Sequence, residues 1–250
     1  MMRLTVCGSA GSHPSAARAC SGYLLETAES RVMLDIGNGS TANLQRLHEL
    51  RELDAIVISH RHIDHCIDLI GAFYALLDDA DERPRIPVYA APDVLAFLTS
   101  LLTRDSTLKF SQVFDARTIT PGDRLEVGDM DFEFLHSVHP APTVSSRITV
   151  GSQTFVYSSD SAGGDDLLRA ARGADAFLCE ATWDSLDGRP PGIHLDGTEA
   201  GRIAKEAGVG KLFLTHVAGG SDRERIQRDA VAAFGDDGVV QVDDRSVYDF

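Results

Sequence analysis

Four residues that can bind a metal ion lie within six consecutive positions of this chain: His60, His62, Asp64 and His65. Imidazole and carboxylate groups between two apolar stretches are costly unless something binds them, and together they suit zinc, iron or manganese. His60 and His62 are two positions apart, so on an extended strand end both side chains point to one side. Asp64 and His65 fall where the chain turns into the next helix, so they can face a second ion. A histidine-rich turn without a metal is the alternative, and four filled positions argue against it.

Three further candidates, His139, Asp160 and His216, follow stretches with the pattern of a β-strand. Those stretches are residues 132–135, 154–159 and 211–215. Function concentrates on loops at strand ends, because the strands fix position while the loops stay open to substrate. One histidine after one strand is more often a surface residue. The combination with the first run is what predicts a metal site.

With these residues in place, the chain resembles the metallo-β-lactamase superfamily, and within it the ribonuclease Z-like branch. The segment 60–65, which reads His-x-His-x-Asp-His, matches the metal motif of the superfamily. His139, Asp160 and His216 match its three later ligand positions in the same order. The resemblance covers nearly the whole chain, and the metal motif is much more specific for the fold than for the substrate.

Two further segments resemble the ribonuclease Z-like branch. Residues 180–183 resemble its Glu-Ala-Thr-aromatic segment, and His194 with the following residues 197–201 resembles the segment of its additional catalytic histidine. Together with the pair Cys66 and Asp68, these segments are closer still to the actinobacterial atypical cyclic-nucleotide phosphodiesterases.

The resemblance implies two divalent metal ions, with zinc expected and manganese or iron as alternatives, and a bridging hydroxide as the nucleophile. It assigns His60, His62 and His139 to the first ion, Asp64, His65 and His216 to the second, and Asp160 to both. Asp64 and His194 are the candidate catalytic residues, with His194 as proton donor or charge stabiliser. The alternative for His194 is an ordinary loop histidine after residues 190–192. Asp35 is expected to support the loop that carries the first motif.

Three histidines, His13, His48 and His136, match no ligand position and are predicted to lie outside the site. His48 falls within residues 41–53, where leucines recur at the spacing of an amphipathic helix. Cys66 adjoins the metal motif without matching a ligand position, so we interpret it as a buried thiol near the site.

The chain departs from the branch in two places. Ser145 and Ser146 stand where relatives usually carry an aromatic residue and a glycine, a change that is expected to reshape the pocket wall beside the first metal. The segment 78–87 is short, and no stretch resembles the long Gly/Pro-rich arm with which tRNA-processing members grip tRNA. This second departure weighs against a tRNA substrate.

The order of elements predicts an α/β fold. Each half of the chain contains short β runs, then a strand that ends in a histidine (His60 and His216), then a helical stretch (66–77 and 222–234). This repeat favours two related halves packed sheet on sheet with helices outside, in agreement with the four-layer αββα metallo-β-lactamase sandwich that the resemblance implies. The length of 250 residues and the lack of a linker predict a single domain over residues 1–250.

The net charge of −15, from 23 basic and 38 acidic residues, bears on the partners. Nucleic-acid binders usually present a basic face, so we expect a small anionic substrate in a pocket made positive by its ions rather than a nucleic acid. The N-terminus lacks the apolar core of a signal peptide, and no stretch approaches the ~18 apolar residues of a membrane span. These features predict a cytoplasmic enzyme without a membrane partner, and a homodimer is the expected assembly if there is one.

Several functions fit the predicted site. The favoured one is a dimetal phosphodiesterase that cleaves a small phosphodiester of the cyclic-nucleotide type. A hydrolase of an ester, thioester or lactone in a biosynthetic pathway is the alternative, because the same hydroxide attacks carbonyl carbon. A tRNA 3′-processing endonuclease is a weaker alternative. A non-catalytic metal-binding protein would be indicated by a missing ligand, and no ligand is missing.

Overall fold

Two seven-stranded β-sheets form the centre of the computed structural model, which describes residues 1–78, 84–235 and 238–250. In spatial order the strands of the first sheet are β16 (Val247–Asp249), β1 (Arg3–Gly8), β3 (Gly22–Glu26), β4 (Arg31–Ile36), β5 (Ala55–Ile58), β6 (Ile86–Ala90) and β7 (Phe114–Thr118). Those of the second sheet are β15 (Val239–Gln241), β13 (Lys211–Thr215), β12 (Ala176–Glu180), β11 (Gln153–Tyr157), β10 (Val144–Val150), β9 (Met130–His136) and β8 (Arg124–Val127). A short parallel pair joins β2 (Ala10–Gly11) to β14 (Val217–Ala218).

Helices connect the strands of both sheets. In the first half they are α1 (Ser40–Leu44), α2 (Ile63–Cys66), α3 (Asp68–Leu77), α4 (Val94–Ser100) and α5 (Arg104–Val113), with a 3₁₀ turn at Leu50–Glu52. In the second half they are α6 (Asp165–Ala171), α7 (Gly197–Ala207) and α8 (Arg223–Phe234). Helices α7 and α8 begin at aspartates that accept a hydrogen bond from a backbone N–H of the first turn, and each ends at a glycine with positive φ.

Both sheets follow the same plan. In the first, β4 to β7 are parallel and the strands on the other side of β4 are antiparallel. In the second, β11, β12, β13 and β15 are parallel and the remaining strands are antiparallel. The strands on which the predicted site depends, β5, β11 and β13, belong to the parallel parts. Their carboxyl ends meet at one edge of the molecule, because parallel strands all end on the same side of a sheet.

The core lies between the two sheets and beneath the outer helices. Aromatic rings from the two sheets meet directly: Phe213 of β13 lies 4.8 Å from Tyr248 of β16, and Phe155 of β11 lies 5.5 Å from Phe250. A second buried cluster fills the space between the second sheet and helices α6, α7 and α8. Sheets inside and helices outside are the four-layer αββα arrangement, so the predicted α/β sandwich is confirmed.

The helical prediction for residues 41–53 is wrong for most of its length. Helix α1 ends at Leu44, and the chain continues through turns to a single 3₁₀ turn at Leu50. Leu44 and Leu50 are buried, whereas Leu47 is 53 % exposed, so the three leucines do not share one face. The predicted helix at 66–77 starts earlier, at Ile63, and is broken at Ile67 between α2 and α3.

Residues 79–83, in the middle of the segment that was predicted to be too short for a tRNA-gripping arm, lie outside the described residues. Within the described ranges, no helix is long and apolar enough to cross a membrane. The single domain over residues 1–250 stays a prediction.

Candidate metal centre

Three histidine nitrogens form the first cluster at the carboxyl edge of the sheets. His62 Nδ1 lies 2.9 Å from His60 Nε2 and 3.1 Å from His139 Nε2. His60 and His62 follow strand β5, and His139 comes from the loop between β9 and β10 in the other half of the molecule. The two halves therefore contribute to this cluster together, as the sequence predicted for a site where the halves meet.

The second cluster combines two imidazoles and a carboxylate. His216 Nε2 lies 3.1 Å from His65 Nε2 and 3.2 Å from Asp64 Oδ2. Asp64 and His65 lie on the short helix α2, and His216 follows strand β13. The side chain of His65 is fully buried and that of Asp64 is 10 % exposed, so this cluster is closed off from solvent on most sides.

Asp160 lies between the two clusters, three residues after the end of β11. Its Oδ1 lies 3.1 Å from His65 Nε2 and 3.2 Å from His216 Nε2, whereas its Oδ2 lies 3.6 Å from His60 Nε2 and 3.7 Å from His139 Nε2. Each carboxylate oxygen thus faces a different cluster. A carboxylate can meet two cations in this way, which one imidazole nitrogen cannot do.

The donor set fits divalent metal ions. Four-coordinate zinc with bonds of 2.0–2.1 Å to nitrogen or oxygen holds its ligand atoms roughly 3.3 Å apart, close to the spacings in both clusters. Among the described residues, the buried Asp160 Oδ1 has no hydrogen-bond partner. A buried carboxylate oxygen without a partner is costly, and a cation in front of it removes the cost. Within the described residues, a third set of possible ligand atoms, from Asp160, His194 and His216, overlaps these clusters.

The ionisation of the cluster residues points the same way. Burial alone would lower the pKa of His65, but the charges of Asp160, Asp64 and Asp35 raise it well above its usual value. Burial, together with the neighbouring His65, lowers the pKa of His60 well below its usual value. Carboxylates therefore dominate the electrostatics around His65, and a negative potential in a buried pocket attracts cations.

Asp35, at the end of β4, supports both clusters from behind. Its carboxylate accepts a hydrogen bond from His65 Nδ1 at 2.7 Å and another from the Ser59 hydroxyl at 2.8 Å. Ser59 Oγ in turn lies 3.1 Å from His60 Nδ1, which donates to it. The hydroxyl of Tyr157 also donates to Asp35, at 2.7 Å. With a metal ion bound, these bonds would keep the proton of each imidazole on Nδ1 and leave both Nε2 lone pairs free to bind the ion.

Glu180, the last residue of β12, supports the opposite side. Its Oε1 accepts from His194 Nδ1 at 2.9 Å, and its Oε2 accepts from the Thr182 hydroxyl at 2.6 Å. Thr182 Oγ1 itself accepts from His216 Nδ1 at 2.8 Å. One buried carboxylate thereby orients both a member of the second cluster and the candidate catalytic histidine.

The other two candidate ligand imidazoles, those of His139 and His62, have weaker hydrogen-bond support. His139 Nδ1 donates to the carbonyl oxygen of Ile193 at 3.0 Å. For His62 Nε2, no hydrogen-bond partner is found in the part of the chain that the structure describes.

His194 lies beside the metal clusters without belonging to either of the two main ones. Its Nδ1 is 3.9 Å from Asp160 Oδ2, and its ring centre is 5.3 Å from that of His216. Burial alone would lower the pKa of His194, but the charge of Glu180 and the hydrogen bond to it raise the pKa to about 9. With Nδ1 bound to Glu180, the Nε2 atom is the one that can serve a substrate.

Backbone strain accumulates around the centre. Asp35, Ser159 and His216 all have φ near 55°, a left-handed conformation that non-glycine residues rarely adopt. Gly11 of β2 approaches His216 so closely that a Cβ atom there would lie 2.8 Å from His216 Nδ1. The pairing of β2 with β14 thus holds the backbone of Gly11 in close contact with His216.

The structure brings together all eight predicted site residues, and the three excluded histidines belong to neither cluster. His136 is exposed beside Asp166, His48 lies between Glu26 and Glu52, and His13 contacts the carbonyl oxygen of Pro14. Cys66 is fully buried, as predicted, and burial raises the pKa of its thiol to about 12.

The two unusual serines are buried on strand β10. The hydroxyl of Ser145 donates to the carbonyl oxygen of Ser158 at 2.7 Å, two residues before Asp160. Ser145 therefore supports the backbone that leads to Asp160, and its effect on the pocket wall stays a prediction.

The sequence analysis singled out residues 180–183 by resemblance but assigned no role to Glu180 or Thr182, and it did not single out Tyr157. Glu180 ends the apolar strand 176–180, the same signal that pointed to Asp160 and His216, so a role at the site could have been predicted for it. Tyr157 gave no signal, because a tyrosine inside an apolar strand is an ordinary core residue and its partner Asp35 is 122 positions away.

Comparison with known proteins places this site in a family. A family profile described as a beta-lactamase superfamily domain matches residues 30–217. An uncharacterized protein of Mycobacterium leprae (strain TN) is 35 % identical over 238 residues, which cover 93 % of this chain and 84 % of that protein. The protein named "Probable metallo-hydrolase YhfI" of Bacillus subtilis (strain 168) is 30 % identical over 248 residues, which cover 93 % of this chain and 94 % of the relative.

A crystal structure of YhfI superimposes with a TM-score of 0.84 at 29 % identity, over 99 % of this chain and 98 % of that one. A ribonuclease Z of Methanopyrus kandleri is 24 % identical over 266 residues, or 91 % of each protein. The chain belongs to the metallo-β-lactamase superfamily. It is a metal-dependent hydrolase of that superfamily, and the clusters described above imply divalent metal ions. The predicted resemblance to the ribonuclease Z-like branch is confirmed, and the mycobacterial relative represents its actinobacterial members.

Proposed function

We propose that this protein is a dimetal phosphodiesterase that cleaves a small phosphodiester. The observation that carries the proposal is the position of Asp160, whose two oxygens face two separate ligand clusters while His194 adjoins both. With an ion held in each cluster, such a centre would concentrate positive charge on one point. A phosphoryl group gains negative charge on its non-bridging oxygens during transfer, so it benefits from groups arranged in this way.

His60, His62 and His139 would hold one divalent ion, Asp64, His65 and His216 the other, and Asp160 both. When bound, the ions would supply Lewis-acid polarisation of the phosphoryl group and would make water a nucleophile near neutral pH. Zinc is the metal that we favour, because imidazole and carboxylate at these spacings suit it. Hydrogen bonds to Asp35 and Glu180 fix the orientation of the ligand side chains and of His194. Little reorganisation of these side chains is therefore needed during the reaction.

His194 acts on the substrate side of the centre in this proposal. Glu180 holds the imidazole by Nδ1 at 2.9 Å, so the ring cannot turn away from the cleft. From Nε2 it can donate a proton to the leaving alkoxide, or a hydrogen bond to a charged phosphoryl oxygen. A positioned acid–base group of this kind contributes roughly 10²–10⁴-fold in rate.

The proposed substrate is a small anion rather than a folded RNA. The relative from Methanopyrus kandleri is named as a ribonuclease, which supports chemistry on a phosphodiester. The surface of this chain carries a net charge of −15, whereas affinity for a long polyanion comes from many Lys and Arg contacts. A cyclic nucleotide, with one charge close to the scissile bond, matches these properties.

The proposal is tested with a panel of substrates on zinc-loaded and chelated protein. Bis(p-nitrophenyl) phosphate, cyclic nucleotides and precursor tRNA are compared with esters, thioesters and lactones at equal enzyme concentration. The Asp160→Ala variant, purified in the same way, controls for contaminating activities. We expect metal-dependent turnover of the small phosphodiesters and little cleavage of tRNA. Efficient turnover of carbonyl substrates, with every phosphodiester untouched, would replace the proposal with the carbonyl-hydrolase alternative.

A homodimer and a cytoplasmic location remain predictions from the sequence.

A further inference from the structure

An open cavity of about 360 Å³ adjoins the metal centre on the side of helix α2. One wall is made by His62 and Asp64, which belong to the two clusters. The residues of the other wall and rim have no role in the site described so far: Ser12, Arg61, Ile63 and Phe97. A group attached to the atom that reacts at the metal centre would extend into this cavity.

The far wall is apolar. Ile63 lies between the candidate ligands His62 and Asp64, and its side chain is 57 % exposed. Phe97 comes from a separate element, helix α4, where it is half-buried and packs against the main core. Two apolar side chains from different helices therefore meet beside charged ligands. Exposed apolar side chains that converge in a cleft mark a ligand surface more often than single scattered ones do.

The rim is polar and fixed to the centre. The backbone N–H of Ser12 donates to Asp64 Oδ2 at 2.7 Å, which holds this loop residue against a candidate ligand. Ser12 has φ of 63°, so its backbone is held in a strained conformation at this contact. Arg61 is exposed at the same rim and lies between the candidate ligands His60 and His62 in the sequence.

We propose that this cavity is a subsite for an aromatic ring of the substrate, a ring of nucleobase or aryl size on the phosphoryl group that reacts at the metal centre. The inference rests on the proposed function, since the metal centre must hold the phosphoryl group. Phe97 and Ile63 pack against the ring, Arg61 lies over or beside its face, and the Ser12 hydroxyl reaches ring heteroatoms. The volume falls within the usual range of small-molecule pockets, roughly 300–1,000 Å³.

Aromatic side chains and guanidinium groups both recognise flat π-systems. Contact between two aromatic rings strengthens binding by roughly twofold to tenfold beyond the effect of the area that it buries. An arginine over a ring adds a cation–π attraction. An aliphatic substituent of small size would leave Ile63 and Phe97 in contact with water. The subsite therefore predicts selectivity for aryl over methyl phosphates.

The first test measures binding rather than turnover. Phenyl phosphate and methyl phosphate, which share the same phosphoryl group, are titrated into zinc-loaded protein in a calorimeter. We expect phenyl phosphate to bind about tenfold more tightly. Ile63→Ala and Phe97→Leu should reduce this ratio by about threefold to tenfold. The control is Leu101→Ala, which removes a side chain of similar exposure, 52 %, that lies outside the cavity lining.

The second test compares phenyl p-nitrophenyl phosphate with methyl p-nitrophenyl phosphate, which release the same leaving group. The wild type should favour the phenyl diester in kcat/KM, and the two variants should lose that preference through KM. Equal binding of phenyl and methyl phosphate by the wild type would overturn the subsite, whatever the turnover. A phenyl preference in binding without hydrolysis of either diester would overturn the proposed function and leave the subsite standing. Thermal unfolding of each variant verifies that it is folded.

Discussion

The two clusters of candidate metal ligands differ in the hydrogen bonds that orient their imidazoles. In the second cluster, His65 donates to the carboxylate of Asp35 and His216 is connected to that of Glu180 through Thr182. In the first cluster, His60 is connected to Asp35 through Ser59 by a similar hydroxyl relay, but His139 donates to a backbone carbonyl instead of a carboxylate. Carboxylates raise the basicity of an imidazole ligand more than neutral acceptors do. The second cluster is therefore the better prepared for a metal, and the first is the more adaptable.

The difference also suggests separate tasks for the two clusters, each of which takes ligands from both halves of the molecule. His65 and His216 are buried and are supported by the carboxylates of Asp35 and Glu180, whereas His62 is half-buried and lines the open cavity together with Asp64. We infer that a substrate approaches the centre from the side of His62 and Asp64, and that His65 and His216 anchor it. The predictions that follow test this difference, from the largest expected effect to the smallest.

Removal of Asp160 should disable both clusters together. In the Asp160→Ala variant we expect metal content to fall from about two ions per chain to below one, and phosphodiesterase activity to fall below detection, because the lost carboxylate faces both clusters. Metal content is measured by mass spectrometry of protein purified without chelator. Asp166→Ala, at a partly exposed position on α6 outside both clusters, is the control. Full metal content in Asp160→Ala would refute the bridging role.

Removal of His194 should affect catalysis without affecting either cluster. We expect His194→Ala to lower kcat by roughly 10²–10⁴-fold, the usual contribution of an acid–base group, while both metals stay bound. The matched control is His136→Ala, since His136 is exposed and lies outside the clusters. A change of less than about threefold in kcat would return His194 to the role of an ordinary loop histidine.

Loss of the charge on Asp35 should weaken both clusters, because this carboxylate contacts His65 directly and His60 through Ser59. We expect Asp35→Asn to lower metal affinity by about 10–100-fold, as measured by competition with a chromophoric chelator. Asparagine tolerates the left-handed backbone of this position, so the fold should be retained, which thermal unfolding verifies. Unchanged affinity would show that Asp35 supports the backbone alone.

Disruption of Thr182 should weaken the second cluster alone and by less. Thr182→Val removes the hydroxyl between Glu180 and His216 but keeps the shape and the carboxylate. We expect a loss of up to about tenfold in the affinity of one ion, with the other unchanged. The same chelator competition resolves the two ions as separate steps. Equal weakening of both would contradict the division of support described above.

The sequence could predict that the candidate ligands lie close together, because each of them follows a strand or starts a helix, and these local patterns are present in the fold. His60, Asp160 and His216 are examples, since each follows a parallel strand directly or within three residues. The hydrogen bonds that orient the ligands could not be predicted where they depend on the packing of distant segments. Tyr157 and Asp35 meet across the two sheets, and no local pattern announces that contact.

The largest error is the helix predicted over residues 41–53. It arose because a local pattern was followed where a tertiary contact determines the structure. Leucine spacing suggested one apolar face, but the chain turns after Leu44 and leaves Leu47 exposed. Asp68 caps this region by accepting from the backbone N–H groups of Gly39 and Thr41, a tertiary contact that sets where α1 starts. Periodicity alone does not contain that information.

The central claim is that Asp160 joins two metal ions, and an anomalous difference map tests it most directly. Crystals grown with zinc, with data collected on both sides of the zinc absorption edge, should show two peaks. One should lie among His60, His62 and His139, the other among Asp64, His65 and His216, with one Asp160 oxygen toward each. A single fully occupied peak held by His60, His62 and His139, with Asp64 turned away, would contradict the account.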